Sequence, residues 1–317
     1  MKILIASPIE PGTISRLQEQ HDVVCAFDAT TQDLRSLIKD RHLLIFRSGV
    51  DITAELMASA PNLTFLIRAG SGLDNVDLEY VGRRGLELAR IPGPSAQAVA
   101  EMSFAFMLAW SRHLFEADRT MRQGRWAKND LLGSLLAGRV LGIVGLGNTG
   151  TRVAEVGVAW GMDVIGCVEH PSPDRAAEFD EKGIRLTDFD EVISKADYVS
   201  VHVPLRDSTY RLINSSVLAR MKPGAFLINL GRGGVVDEHA LHTALSEGDR
   251  LAGAALDVHE EEGEEVSSPL VELPNVILTP HIGATVADTQ RQIGCRIQEL
   301  VDSFAVRFEP EPLASVA

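Results

Sequence analysis

Residues 139–150 read Arg-Val-Leu-Gly-Ile-Val-Gly-Leu-Gly-Asn-Thr-Gly. Val140–Val144 is short, apolar and largely β-branched, which is typical of a strand buried on both faces. Glycines at 145, 147 and 150 follow with the spacing G-x-G-x-x-G, and an apolar helical pattern starts directly after them. In this context we expect the loop to bind the pyrophosphate of a dinucleotide; a glycine turn that only serves packing is the alternative. The predicted cofactor-binding residues of the loop are Gly145, Leu146, Gly147, Asn148, Thr149 and Gly150.

A second feature is the set of polar side chains that follows the later strands of this half. They stand in His202-Val-Pro204, in Asn229–Gly234, in Asp257–Glu262 and in Pro280–Gly283. Because the carboxyl ends of parallel strands share one edge of a sheet, we expect these four segments to meet there. The predicted strands are Val140–Val144, Asp163–Val168, Tyr198–Val203, Ala225–Leu230, Gly253–Leu256 and Val276–Leu278.

Residues 1–90 show the same alternation of short apolar runs and helical patterns, so a parallel α/β unit is predicted here too. Arg47 follows the third strand, and Arg68 precedes Gly70-Ser71-Gly72 after the fourth. Successive unhindered amides in this glycine segment would form a nest for a carboxylate; two glycine turns with solvated arginines are the alternative. The predicted strands are Lys2–Ala6, Asp22–Ala26, Leu43–Phe46, Thr64–Ile67 and Leu86–Ala89, with helices starting near Thr13, Thr31, Thr53 and Asp77.

A long amphipathic helix is predicted between the two halves, from Ser95 to Met121. The loop that follows carries Trp126, Leu131 and Leu132, and this exposed apolar loop suits a dimer interface. The apolar face predicted for the helix consists of Val99, Met102, Phe106, Leu108 and Leu114.

Composition narrows the function further. A chain of 317 residues exceeds what one hydrophobic core usually covers, so two domains are expected. The formal net charge of −14 argues against nucleic acid or an anionic membrane as a partner, and no apolar run reaches the ~20 residues of a membrane span. Cys25, Cys167 and Cys295 have no metal-ligand spacing and leave one cysteine unpaired, which favours a reduced, cytoplasmic setting.

With these residues in view, the chain resembles the D-isomer-specific 2-hydroxyacid dehydrogenases, the phosphoglycerate dehydrogenase-like family, over nearly its full length. Several motifs in the right order are far more specific than any one of them. The resemblance rests on Ala69-Gly-Ser-Gly-Leu-Asp-Asn75, Val99-Ala-Glu101, Leu141-Gly-Ile-Val-Gly-Leu-Gly147, Met221-Lys-Pro-Gly224, Asn229-Leu-Gly-Arg-Gly-Gly-Val-Val-Asp237, Ala255-Leu-Asp-Val258 and Leu278-Thr-Pro-His-Ile-Gly283.

The resemblance implies an α/β protein with two Rossmann-like or flavodoxin-like parallel-sheet domains and an active-site cleft between them. Residues 1–95 plus 285–317 would form a discontinuous substrate-binding domain, and residues 96–284 the NAD-binding domain. It also implies a homodimer and a small anionic 2-oxo or 2-hydroxy acid as the substrate.

Carried over residue by residue, the resemblance makes His281 the general acid and base, Glu262 its carboxylate partner, and Arg232 the residue that binds the substrate carboxylate and 2-oxygen. Asp257 would contact the nicotinamide carboxamide, and the amides of Gly70, Ser71 and Gly72 the other carboxylate oxygen. Arg47 is a further candidate for the substrate pocket. The remaining cofactor-binding residues expected are Val168, Glu169, His202, Val203, Pro204, Leu230, Gly231 and Gly283, together with Arg232 and His281.

The residue types suit this chemistry. Loss of hydride from a carbinol carbon requires the hydroxyl proton to leave as well, and histidine is the side chain best matched to take it near neutral pH. A carboxylate against the imidazole fixes its tautomer and stabilises the imidazolium. A planar guanidinium fits a carboxylate more specifically than a lysine would.

Two of the departures from the family pattern bear on the catalytic pair and on the cofactor. Gly263 stands where a proline normally follows the catalytic glutamate, so Glu261 remains an alternative to Glu262. Val168 occupies the end of the second cofactor-domain strand, where an acidic residue should bind the ribose hydroxyls and repel a 2′-phosphate. Glu169 could act from the next position, whereas Arg175 is several residues further on. NAD is therefore favoured as the cofactor, with NADP not excluded.

Two other functions stay open at this point. One is an NADH-responsive binding protein similar to the transcriptional corepressors built on this fold, because fold alone does not give function. The other is a dehydrogenase of a small oxyanion such as formate, phosphite or a phosphonate. Glu262 argues against formate, for which the resemblance implies a glutamine beside the histidine.

Overall fold

The computed structural model describes residues 1–247 and 250–308. The chain forms two compact units. One consists of Met1–Ser95 with the described part of Val286–Ala317, and the other of Ala96–Thr285.

The first unit is built on a parallel sheet of five strands. The strands are β1 (Lys2–Ile5), β2 (Asp22–Cys25), β3 (Leu43–Phe46), β4 (Phe65–Arg68) and β5 (Glu87–Arg90). They lie in the order β2-β1-β3-β4-β5. The helices are α1 (Pro11–Gln20), α2 (Thr31–Leu37), α3 (Ala54–Ala58), α4 (Leu78–Arg84) and α12 (Ala287–Phe308).

Capping residues set the starts of these helices. Thr30 and Asp33 form a capping box at α2, Thr53 caps α3 and Asp77 caps α4, which confirms three of the predicted starts. The first helix begins at Pro11, ahead of the predicted Thr13, because the Glu10 carboxylate already accepts hydrogen bonds from the amides of residues 12 and 13.

The last helix packs within the first unit. Ile293, Ile297 and Val301 of α12 belong to the same buried cluster as Ile3 and Ile5 of β1. Burial of such aliphatic side chains stabilises the unit by roughly 1.5–3 kcal/mol each. This packing joins the C-terminal helix to the N-terminal part of the chain.

The second unit carries a parallel sheet of seven strands in the order β12-β11-β10-β9-β6-β7-β8. The strands are β6 (Val140–Val144), β7 (Asp163–Cys167), β8 (Ile184–Leu186), β9 (Tyr198–Val201), β10 (Ala225–Asn229), β11 (Leu251–Leu256) and β12 (Val276–Leu278). The helices are α5 (Gly93–Ser111, from residue 96 in this unit), α6 (Leu114–Arg122), α7 (Asn148–Ala159), α8 (Pro173–Glu181), α9 (Phe189–Lys195), α10 (Ser215–Leu218) and α11 (Glu238–Ser246).

The strand order places a switch point beside the glycine loop. From β6 the chain continues to β7 and β8 on one side, and then returns to β9, β10, β11 and β12 on the other. Ligands of open parallel sheets bind beyond the carboxyl ends of the strands at such a point. The middle strands β9 and β10 are buried along their whole length, as the apolar runs predicted.

The predicted helix from Ser95 to Met121 was wrong in one respect: it is two helices. His113 lies between them with a φ of 52°, in the left-handed region, and ends the first helix. The Ser134 amide donates to the Ser111 carbonyl, and the His113 ring is hydrogen-bonded to the Leu132 carbonyl. Contacts with the following loop therefore replace the hydrogen bonds of a continuous helix at this point. As a result Leu114, predicted in the apolar face, is exposed, whereas Phe104 is buried.

Candidate active site

The glycine loop begins at the end of β6. Gly145 has a φ of 98°, and a Cβ added there would lie 2.8 Å from Val203 Cγ1 and 2.9 Å from the His202 carbonyl oxygen. The amides of Gly145 and Leu146 both donate to the Cys167 carbonyl, at 3.1 and 3.2 Å. A residue with a side chain at 145 would therefore be strained and would push away the segment after β9.

The N-terminus of α7 is free to receive an anion. Gly147 is its N-cap and supplies no side chain to cap the first amides. A Cβ on Gly147 would meet nothing within 4 Å in the described part of the chain, so open space lies in front of the helix. Asn148 and Thr149 follow as the first helical residues. Amides and a helix dipole that face open space fit a pyrophosphate.

The end of β7 is where an adenosine ribose would lie. Val168 packs partly against the apolar cluster under α7. Glu169 and the residue after it are exposed, and the Glu169 carboxylate forms an ion pair with Arg206 at 3.2 Å. Arg175 donates from Nη2 to the Leu146 carbonyl at 3.3 Å. Residues that are distant in sequence thus meet at this strand end.

The segment after β9 lines the glycine loop from the other side. His202 Nε2 lies 2.8 Å from Ser200 Oγ, and its Nδ1 is buried without a partner among the described residues. Burial lowers the pKa of His202 to about 4, so the ring is neutral at physiological pH. The side chain is thus directed into the unit, while Val203 faces the loop and Pro204 is exposed.

Asp257 fixes the segment that carries His281. Its carboxylate is 2% exposed and accepts hydrogen bonds from the Thr279 hydroxyl and from the amides of Ile282 and Gly283. Its carbonyl accepts from the His281 amide at 2.8 Å. His281 adopts a φ of 54°, an unfavourable conformation for a residue with a side chain, which these bonds help to maintain.

His281 and Glu262 form an imidazole–carboxylate pair. His281 Nδ1 lies 2.8 Å from Glu262 Oε2, and the two side chains are 39% and 40% exposed. Partial burial acts to raise the pKa of Glu262, but its hydrogen bond to His281 and the imidazolium charge outweigh this effect, so the pKa lies below its usual value. With Nδ1 directed at the carboxylate, Nε2 is left as the nitrogen that can exchange a proton with a ligand.

A buried carboxylate that sequence reasoning missed holds the loop around Glu262. Glu238 is 3% exposed, and its carboxylate accepts from the Glu260 amide at 2.7 Å and from the Ser268 hydroxyl at 2.6 Å. The His259 amide donates to Glu262 Oε1 at 3.2 Å, and the His259 ring meets the Thr279 carbonyl at 3.0 Å. The family motif contained Asp237, immediately before Glu238, but only the fold brings this carboxylate against the loop.

Arg232 follows β10 in a turn that Asn229 organises. The Asn229 side chain donates to the Arg232 carbonyl at 2.9 Å and accepts from the Gly231 amide at 3.1 Å. Arg232 Nη1 donates to the Gly231 carbonyl at 2.7 Å. Leu230 is buried and Arg232 partly buried. The guanidinium is therefore held at the same edge of the sheet as Asp257, which follows the neighbouring strand β11.

The first unit holds the other predicted substrate residues at the edge of its own sheet. Arg47 follows β3, and burial lowers its pKa. Arg68 ends β4, is buried, and donates from Nε to the Gly72 carbonyl at 2.8 Å. A Cβ on Gly70 would lie 2.7 Å from Arg68 Nη1, so the buried arginine packs directly under the glycine turn with Ser71.

The described helices include none that is long and apolar enough to cross a membrane.

A glycine loop at the head of a parallel α/β sheet, with a histidine–carboxylate pair at the same edge, is typical of nicotinamide-dependent oxidoreductases. The model of the D-isomer specific 2-hydroxyacid dehydrogenase NAD-binding domain matches residues 104–283. The chain belongs to the D-isomer specific 2-hydroxyacid dehydrogenase family, as the sequence motifs predicted.

Individual relatives agree with this assignment. The chain is 34% identical to hydroxypyruvate reductase of Thermotoga maritima, over 95% of this chain and 97% of that protein. It is 36% identical to D-3-phosphoglycerate dehydrogenase of Methanocaldococcus jannaschii over 95% of its length, but it spans only 57% of that protein. The structure of D-lactate dehydrogenase from Aquifex aeolicus complexed with NAD and lactic acid has a TM-score of 0.83 at 27% identity, covering 96% of this chain and 95% of that one.

These findings and the two parallel sheets confirm the predicted α/β fold with two Rossmann-like domains, the oxidoreductase class and NAD as the cofactor. The matched region is an NAD-binding domain, and the open glycine loop in front of α7 is the part of the structure that fits the pyrophosphate.

Proposed function

We propose that this protein interconverts a small D-2-hydroxy acid and its 2-oxo acid with His281, Glu262 and Arg232 as the catalytic residues. The observation that carries the proposal is the 2.8 Å pair of His281 Nδ1 and Glu262. It lies on segments that follow β11 and β12, in the same sheet whose strand β6 leads into the glycine loop. Residues 96–284 would be the NAD-binding domain, and residues 1–95 with 285–317 the substrate-binding domain.

Each side chain has a defined task in this proposal. Bound NAD supplies the acceptor for the hydride, and NADH the donor in the reverse direction. His281 Nε2 removes the hydroxyl proton during oxidation and returns it to the 2-oxygen during reduction. Glu262 holds the imidazole and stabilises its charged form, and Arg232 binds the carboxylate and polarises the adjacent carbonyl. Asp257 positions His281 through the backbone of residues 281–283. Its predicted contact with the nicotinamide carboxamide stays a prediction.

Hydroxypyruvate is the first substrate to test. A relative that the chain matches over nearly its whole length is named hydroxypyruvate reductase, and a D-lactate dehydrogenase and a glyoxylate reductase are among the similar structures. Arg47 and the amides of Ser71 and Gly72 are further candidate ligands for an anionic substrate, and their role stays a prediction. The Gly70 amide, predicted with them, already donates to the Arg68 carbonyl at 2.8 Å. Glyoxylate, pyruvate and larger 2-oxo acids complete the panel.

The decisive test combines these 2-oxo acids with variants of His281, Glu262 and Arg232. We expect His281→Ala and Arg232→Ala each to lower kcat/KM by ~10²-fold or more, because they remove acid–base catalysis and charge stabilisation. Glu262→Gln should lower kcat, and Glu261→Gln, at an exposed neighbouring carboxylate, is the matched control. Near-normal turnover by His281→Ala would refute its role, and no oxidation of NADH with any 2-oxo acid would count against the function.

The protein is further proposed to be a cytoplasmic homodimer. Cys25, Cys167 and Cys295 are all free thiols, as a reducing compartment would keep them. An exposed apolar surface on α6 and the following loop is available for a second copy of the chain. Its residues are Leu114, Phe115, Met121, Trp126, Leu132 and Leu135.

A further inference from the structure

Three charged side chains lie on segments around the end of β7, where the ribose of a bound dinucleotide would lie. Glu169 follows β7 after Val168, Arg175 lies in the first turn of α8, and Arg206 belongs to the loop after β9. In dinucleotide-binding domains an acidic residue at the end of this strand binds the ribose hydroxyls and repels a 2′-phosphate, whereas a nearby arginine accepts that phosphate. The apolar Val168 side chain can do neither, so neighbouring residues must determine whether NAD(H) or NADP(H) binds.

Arg175 lies against the glycine loop itself. Its Nη2 donates to the Leu146 carbonyl at 3.3 Å, and the Leu146 amide donates to the Cys167 carbonyl at 3.2 Å. The guanidinium therefore contacts the residue whose amide is bonded to Cys167, the last residue of β7. The separation of Arg175 from Val168 in sequence concealed this proximity, which the turn of the chain into α8 produces.

Glu169 does not present an uncompensated negative charge. Its carboxylate is paired with Arg206 at 3.2 Å, and both side chains are more than half exposed. An exposed ion pair of this kind contributes about 0–1 kcal/mol, so it opens readily when a better ligand arrives for either partner. A ribose hydroxyl would engage the carboxylate, and a phosphate would engage the guanidinium.

We propose that this site accepts the 2′-phosphorylated ribose of NADP(H) as well as the ribose of NAD(H), with Arg175 and Arg206 as the residues that bind the phosphate. The inference rests on the proposed function, because it assumes a dinucleotide on the glycine loop. Glu169 binds the ribose hydroxyl of NAD(H) and limits the affinity for NADP(H). The ion pair between Glu169 and Arg206 therefore sets the balance between the two cofactors.

Binding of cofactor fragments to the full chain tests this without any turnover. Isothermal titration calorimetry with AMP and with adenosine 2′,5′-bisphosphate compares a ribose without and with the 2′-phosphate, at the same 5′-monophosphate. The wild-type protein should bind both. Arg175→Gln and Arg206→Gln should each weaken binding of the bisphosphate by about tenfold, the loss of one charge-assisted hydrogen bond, and should change binding of AMP much less. Glu169→Gln should bind the bisphosphate roughly threefold to tenfold more tightly.

Two control variants distinguish phosphate binding by Arg175 and Arg206 from general effects of surface charge. Arg220→Gln removes an arginine from another exposed ion pair of the same unit, with Asp190, and should leave both affinities unchanged. Asp174→Asn removes the carboxylate next to Arg175 and should have less effect than Glu169→Gln. Losses in Arg175→Gln and Arg206→Gln no larger than that in Arg220→Gln would overturn the proposal.

The two fragments also distinguish a failure of this inference from a failure of the proposed function. Binding of AMP without measurable binding of the bisphosphate, in the wild-type protein and in Glu169→Gln, would overturn the inference and leave the proposed function intact. Failure of both fragments to bind would remove the dinucleotide site itself, and the inference with it.

Discussion

At the scale of single residues, His202 links the cofactor edge of the sheet to the pH dependence of stability. Its pKa is about 4 in the folded protein because the ring is buried, whereas an unfolded chain would have the ordinary value near 6.5. Below pH 6.5 the unfolded state therefore binds a proton that the folded state does not bind until about pH 4. The free energy of unfolding must fall across this window as the pH is lowered.

We expect this residue to contribute a loss of up to about 3 kcal/mol between pH 6.5 and pH 4. Urea unfolding at several pH values would measure it. His202→Gln should show a flatter dependence than the wild-type protein, and His239→Gln, at an exposed position, should not. Parallel curves for the wild-type protein and His202→Gln would contradict the assignment.

Some residues of the candidate site could be predicted from the sequence alone, and others could not. His281, Glu262 and Arg232 stand in motifs whose chemistry is readable from residue type, and the geometry places His281 against Glu262 rather than Glu261. Glu238 carried no such signal. It sits in an ordinary helical pattern, and its importance arises from contacts with residues 260 and 268, which only the folded chain brings near.

At the scale of elements, the glycine loop and α7 allow one position to be tested for binding and another for folding. A Cβ on Gly147 would meet nothing within 4 Å, so Gly147→Ala should fold normally but fill the space for the pyrophosphate. A Cβ on Gly150 would lie 2.0 Å from the Gly145 carbonyl oxygen, so Gly150→Ala must displace the loop.

We expect Gly147→Ala to retain the wild-type midpoint of urea unfolding while its affinity for NADH falls by about tenfold or more. Gly150→Ala should lower the free energy of unfolding by roughly 1–3 kcal/mol, as overpacking does. Fluorescence titration and urea unfolding measure the two effects. Equal loss of stability in both variants would contradict this division of roles.

The loop between β11 and β12 offers a second test at this scale. Glu238→Ala removes the acceptor of the Glu260 amide and the Ser268 hydroxyl, so Glu262 should be less well held against His281. We expect kcat to fall by about tenfold, with little change in the affinity for NADH, because the glycine loop is untouched. Ser268→Ala, which removes one of the two bonds, should have a smaller effect. Unchanged kcat in Glu238→Ala would show that the loop needs no such support.

Sequence patterns predicted some helices and strands of this chain and missed others. Strands such as β6 and β9 were predictable because a run of apolar, β-branched residues admits few other structures. The short strand β8 was missed: it has three residues, and the exposed Arg185 in its centre breaks the apolar run. The break at His113 was missed because contacts with residues 132 and 134 override a continuous helical pattern.

At the scale of the whole molecule, parallel sheets convert order along the chain into proximity in space. Residues 202, 232, 257 and 281 follow β9, β10, β11 and β12, which are successive neighbours in one sheet. The sequence therefore predicted that they share an edge, because strand direction alone requires it. Contacts between side chains, such as those of Glu169 with Arg206, depend on loop paths that strand order does not determine.

The exposed apolar surface of α6 and the following loop gives the last prediction. Trp126, Leu132 and Leu135 are 77%, 89% and 73% exposed, and large apolar side chains left this open to water within one loop are typical of an interaction surface. Burying each leucine against a second copy would gain about 1.5–3 kcal/mol. The wild-type protein should sediment as a dimer, and Leu132→Asp with Leu135→Asp should shift it to monomer, because two carboxylates would then have to be desolvated. Val306→Asp, at an exposed apolar position on α12, should leave the dimer intact. Sedimentation velocity measures all three, and a monomeric wild-type protein, or a double variant that stays dimeric, would exclude this surface as the interface.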